Sequence, residues 1–143
     1  MKFDIPKKCE VRWQAALAVL EDLQEDTKAG FRMGYWYYDK NKKAKSAPTV
    51  NWEHSECGTS ACFAGWMEVA PYCKKLGLNS AHFAAKWLTD DTNQPLYQMI
   101  FRASINEGSR AKTLAYLKKT LKQIFKDSTG KVLKAPLIFY IDA

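Results

Sequence analysis

No stretch of this 143-residue chain approaches the roughly 18 consecutive apolar residues that would span a bilayer. Its first residues, MKFDIPKKCEVRW, carry no apolar run behind their charges, so no secretory leader is expected. These two absences lead to the expectation of a soluble, cytoplasmic protein without a membrane partner. Nor does the chain contain a C-x-x-C pair, which removes the strongest signature of a zinc ribbon or a dithiol redox centre. A Gly-rich phosphate loop, G-x-S-x-G and H-E-x-x-H are missing too. Only two histidines occur, so imidazole chemistry is limited to His54 and His82. Without an internal repeat, a low-complexity tract or a linker-like composition shift, the chain reads as one globular domain over residues 1–143, long enough to bury a core.

What is present is apolar and basic. Hydrophobic residues make up 47% of the chain, too many for a disordered segment. The formal net charge is +7, and its placement matters more than its size. Residues 110–134 hold eight basic side chains and only Asp127 as an acid, so this one segment carries the whole excess. A second basic cluster, Lys40, Lys42, Lys43 and Lys45, lies in DKNKKAKSAP. Opposite charge gathers at Glu21, Asp22, Glu25 and Asp26.

Periodicity predicts about five helices. The first covers residues 9–26, with Trp13, Ala16, Leu17, Leu20 and Leu23 as its apolar stripe and Val11, Ala15, Ala18 and Asp22 in another direction. Another runs from residue 61 to 70, capped by Thr59 or Ser60 and ended by Pro71, which disfavours helix at Ala70. Almost wholly apolar apart from Glu68, it should be buried on nearly all sides. LNSAHFAAKWLTD gives a short helix with Phe83, Trp87 and Leu88 inward, and QPLYQMIFRAS a further one with Pro95 in its first turn. The clearest helix spans 108–127: Leu114, Leu117, Leu121, Ile124 and Phe125 form one stripe, lysines the opposite face, and Gly130 lies past its end. Strands are expected at 31–38, with Trp36 and Tyr38 on one side, at 49–53, and at 136–142. The fold class is thus α+β: a mainly helical domain with a small antiparallel sheet.

One stretch stands apart. ECGTSACFAGW, residues 56–66, sets Cys57 and Cys62 around a Gly-Thr-Ser turn. Together with Phe31-x-Met33-x-x-Trp36, the run Cys57-Gly58-Thr59-x-x-Cys62-x-Ala64-Gly65-Trp66 resembles a group of small uncharacterised bacteriophage and bacterial proteins that share F-x-M-x-x-W and C-G-T-x-x-C-x-A-G-W. The likeness covers about a quarter of the chain. It implies an accessory role, such as acting on a host protein or a host defence, and it implies no activity.

The motif residues themselves admit three readings. Cys57 is a candidate nucleophile if it sits at a helix N-terminus, where the dipole favours thiolate, with His54 or His82 as base. His54, Cys57, Cys62 and Cys73 are a candidate zinc set, since zinc takes four nitrogen or sulfur donors. The third reading is packing: buried cysteine behaves as a small hydrophobe, Gly58 permits a turn, Thr59 caps, and Ala61 and Gly65 leave room for a neighbour. Packing gives every residue of the motif a task, and with it the four cysteines are expected to be reduced thiols and no cofactor is required. The acidic pairs, Asp90–Asp91 among them, read as solvated surface.

The basic helix is the functional lead. Lys112, Lys118, Lys119, Lys122 and Lys126 form a positive stripe that attracts anions through a salt-dependent term. Lys42 and Lys43 extend it, and exposed Trp36 and Tyr38 would stack bases. The scarcity of arginine argues against bidentate phosphate reading. The expectation is a non-catalytic binding protein whose partner is acidic: a host protein, a nucleic acid or an anionic nucleotide. A cysteine-dependent enzyme and a zinc-stabilised interaction module are the alternatives.

Overall fold

Pro6, in an extended conformation, feeds a turn of 3-10 helix at Lys7–Cys9 that runs directly into α1, Glu10–Glu25. The computed structural model describes residues 2–25, 30–31, 33, 60–78, 83–102, 104–105 and 107–136. Within them the protein is mainly helical, with six α-helices. Helix α1 is the centre. Besides the expected stripe, Ala15, Ala18 and Val19 are fully buried, so the helix is covered well beyond one face. The expectation that Ala15 and Ala18 lie apart from the packed stripe is corrected: α2, α3, α4 and α6 all touch α1. Small alanine side chains let those neighbours approach closely, while Val11 is left exposed.

After α1 comes a two-residue strand β1, Gly30–Phe31, paired with β2, Ser60–Ala61. The pairing is parallel, with Gly30 opposite Ser60 and Phe31 opposite Ala61. It is the sole strand pairing among the described residues, and the expected small antiparallel sheet is not seen among them. Residues 34–38 and 49–53, and residues 137–142 of the last expected strand, lie outside the described residues.

The β2 pairing also moves the start of the motif helix. Chain that is extended through Ser60 and Ala61 cannot be helical there, so α2 spans Phe63–Val69 and its N-cap passes to Cys62 (φ −76°, ψ 176°). Thr59 or Ser60 as cap, and Ala61 as a helical partner of Gly65, are therefore corrected. The expectation of burial holds: every residue from Phe63 to Val69 is buried. Trp66 donates its indole N–H to the Gly30 carbonyl at 2.8 Å, tying the helix to β1. Pro71 acts twice. It holds Ala70 extended (ψ 126°), and it opens α3, Pro71–Lys75, from the first helical position, where proline has no N–H to lose. Tyr72 on α3 donates to Asp22 Oδ2 on α1 at 2.6 Å.

Helix α4, Ala84–Thr89, begins too late for Phe83 to follow its period, and that ring is 60% exposed where it was expected inside. Trp87 and Leu88 are buried as expected. Carbonyls at the end of a helix lack intrahelical partners, and α1 supplies them here. Arg12 donates to Trp87 O at 2.8 Å and Trp13 Nε1 to Leu88 O at 2.8 Å. Helix α5, Gln94–Ile100, is capped by Asn93, whose side chain accepts from the Leu96 amide at 3.0 Å. Its end stacks on α2 through Phe101 and Phe63, ring centroids 5.4 Å apart.

Helix α6, Arg110–Thr129, starts at the Ser109 cap, with the side chain accepting from Lys112 N at 3.2 Å, and stops at Gly130, φ 73°. It lies antiparallel to α1. Arg110 reaches Leu23 O near the far end of α1 (2.6 Å), Phe125 meets Trp13 (5.8 Å between rings), and Lys131 pairs with Glu10 (2.9 Å). All five residues of the expected apolar stripe are buried. No helix of the described residues is long and apolar enough to cross a membrane.

Two substitutions test this frame by chemical denaturation. Trp13→Phe removes a buried donor and strands the Leu88 carbonyl, and should cost about 2–3 kcal/mol. Gly130→Ala meets open space at its Cβ; it should still cost about 1–2 kcal/mol from left-handed backbone strain, and Gly130→Asn should recover much of that.

Candidate functional site

The lysine face of α6 is a consequence of the helix period. With Leu114, Leu117, Leu121, Ile124 and Phe125 turned to the core, residues 115, 119, 122 and 126 must point away from it. Gly130 then reverses the chain, and Val132 and Leu133 come back beside the helix. The two together make an open groove of about 480 Å³. Ala115, Val132 and Leu133 give it an aliphatic floor, and Lys118, Lys119, Lys122 and Lys126 its basic rim, with Gln24 and Gln123 beside them. Leu133 is buried, whereas Val132 is 69% exposed.

The lysines are not equivalent. Lys118 is half-buried against α1, donating to Gln24 Oε1 at 3.2 Å and lying 3.6 Å from Glu21 Oε1. Its charge answers the acidic end of α1 and is partly spent there. Lys119, Lys122 and Lys126 have no ion-pair partner among the described residues, and they stand in a row at helical spacing. Asp127, the nearest acid in sequence, accepts from Gln123 at 2.7 Å instead. Lys112 is exposed one turn before the groove and does not line it. It sits in the first turn of α6, which carries no acid at all. A cation at a helix N-terminus opposes the dipole by about 0.3–1 kcal/mol, so this turn is built for positive potential at some cost to the helix. Arg110, in the same turn, has a structural task in its bond to Leu23 O.

Of the residues expected to extend the basic surface, Lys42, Lys43, Trp36 and Tyr38 lie outside the described residues. Sequence reading found the lysines and missed Gln24, Ala115, Val132 and Leu133. The signal available was Gly130-Lys131 followed by the apolar pair Val132 and Leu133, a pattern that turns the chain back onto its helix.

The cysteine motif divides the same way. Cys57, His54 and His82 lie outside the described residues, so the nucleophile reading and half of the zinc set fall there. Cys62 is buried at the N-cap of α2 without a side-chain capping bond. Burial pushes its thiol up to about 11, against the pull of the Gly65 and Ala64 amides toward thiolate. Burial likewise raises Cys73, with nearby Asp22 adding to the shift, and burial raises Cys9 against the pull of Arg12. Among the described residues no three His, Cys, Asp or Glu side chains gather to hold a metal.

A second cavity, about 300 Å³, opens beside α4 between Phe83, Lys86, Trp87, Arg12 and Asp90. The Arg12 guanidinium lies 5.9 Å from the Trp87 ring centre. Asp90 is held below the usual carboxylate range by a hydrogen bond from Lys8, with the Lys8 and Arg12 charges assisting. The acid in this cavity is thus already neutralised by the chain's own cations.

Comparison with protein-family models, with curated proteins and with solved structures gave no match.

Thiol accessibility checks the burial of the cysteines. In native protein at about pH 8, DTNB should label at most one thiol per chain rapidly, with Cys9, Cys62 and Cys73 reacting after denaturation. Rapid labelling of a second thiol would contradict the packing described.

Proposed function

We propose that this protein is a non-catalytic binding protein that engages an acidic partner through the groove on α6. The observation that carries the reading is the row of Lys119, Lys122 and Lys126 along one groove, with no carboxylate in ion-pair reach among the described residues. Solvation alone asks only that a helix face be charged, and a mixture of signs meets that need. Here the charge is of one sign and it borders a concavity, which focuses the field on whatever enters. The groove's volume falls within the range of ligand sites. Resemblance of the cysteine motif to small phage and bacterial proteins adds an accessory or host-inhibitory role for such a binder; that part rests on the resemblance alone.

Charge reversal tests the reading. Binding of a labelled oligoglutamate and a labelled oligothymidylate would be followed by fluorescence anisotropy across a salt series. Lys122→Glu with Lys126→Glu should weaken binding of anionic probes by about tenfold or more and flatten the dependence on salt. Lys7→Glu with Lys74→Glu makes the same change in net charge away from the groove and should have a much smaller effect. Equal effects from the two pairs would mean that net charge, and not the groove, governs binding.

A further inference from the structure

The groove is more than a charged surface, because its floor is aliphatic. Ala115, Val132 and Leu133 lie under the lysine rim, and Val132 offers most of its side chain to solvent. From these features, and resting on the α6 groove as the binding surface, we infer that its occupant is a short acidic protein segment that carries an aliphatic anchor residue. The anchor seats against Val132 and Ala115, and flanking carboxylates meet Lys119, Lys122 and Lys126.

Two features favour a peptide over a nucleic acid or a nucleotide. Among the described residues no lining residue is aromatic, so a base finds no ring to stack on there. A lysine ammonium is a point charge that suits a carboxylate of either geometry, and exposed Val132 gains only from an apolar ligand group. The rim from Lys118 to Lys126 spans about 12 Å of helix, a length matched by about four extended or eight helical residues. Gln24 adds to the fit: its carboxamide oxygen accepts from Lys118, and its amide N–H groups are the donors it has for a peptide carbonyl.

The experiment compares three fluorescent probes on the full chain: a glutamate-rich peptide of about eight residues with leucines at helical spacing, the same peptide with each leucine replaced by serine, and an oligothymidylate of matched charge. The leucine peptide should bind about tenfold more tightly than either of the others. Val132→Ser, at an exposed position that leaves the core intact, should abolish that advantage. Lys122→Glu with Lys126→Glu should weaken all three. Equal affinity for the leucine and serine peptides, an unaffected advantage in Val132→Ser, or tighter binding of the oligothymidylate would overturn the anchored-peptide inference and leave the lysine groove standing. No measurable binding of any probe, or no loss on charge reversal, would overturn both.

Discussion

The antiparallel packing of α1 against α6 is the contact on which the rest of the molecule depends. It buries the α6 leucines and the α1 tryptophan in one core, and it places opposite charges at both ends of the pair. Arg110 and Lys118 meet the acidic end of α1 at Leu23 and Glu21, and Lys131 meets Glu10 at the other end. Exposed ion pairs of this kind contribute little each, on the order of 0–1 kcal/mol. They tie the two ends of the pair together, but α1 carries acid and α6 carries base at both ends, so they do not by themselves select the direction. Helices α2, α3 and α4 then close around α1, and α1 in turn supplies the donors that complete α4 through Arg12 and Trp13.

That arrangement decides what is left for binding. Because α6 gives its whole apolar stripe to α1 and its neighbours, its lysines face outward as a set. Because Glu21 and Gln24 take up Lys118, the free positive charge shifts along the helix to Lys119, Lys122 and Lys126. The reversal at Gly130 then adds Val132 and Leu133 and turns a face into a groove. The cysteine motif, which looks chemical as a string of letters, does structural work in its described part. Cys62 occupies a helix N-cap inside the core, and Trp66 binds that helix to Gly30. Burial outweighs the helix amides at Cys62, so a position that would activate an exposed thiol holds a protonated one.

How much of this could be read beforehand follows from the range of each interaction. Helix α6, its stop at Gly130 and its buried stripe were legible because a long amphipathic pattern leaves few alternatives. The break at Pro71 was legible because proline acts on its immediate neighbour. Its role as the start of α3 was not, since a five-residue helix has no period to detect. The start of α2 was misjudged by two residues because a distant strand, Gly30–Phe31, claims Ser60 and Ala61. Phe83 was placed inside on apolarity alone, yet it precedes the helix whose period would have turned it inward.

The amino-acid sequence by itself determined the helical character, the helix that carries the charge and the sign of that charge. Each of these follows from local spacing and composition, which neighbours along the chain set among themselves. Tertiary structure alone decided that α1 is enclosed on nearly every side, that β1 and β2 run parallel, that Lys118 is drawn to Glu21, and that Val132 floors a groove beside Lys122. Those facts depend on which segments, dozens of residues apart, lose water together, and no local pattern encodes that choice.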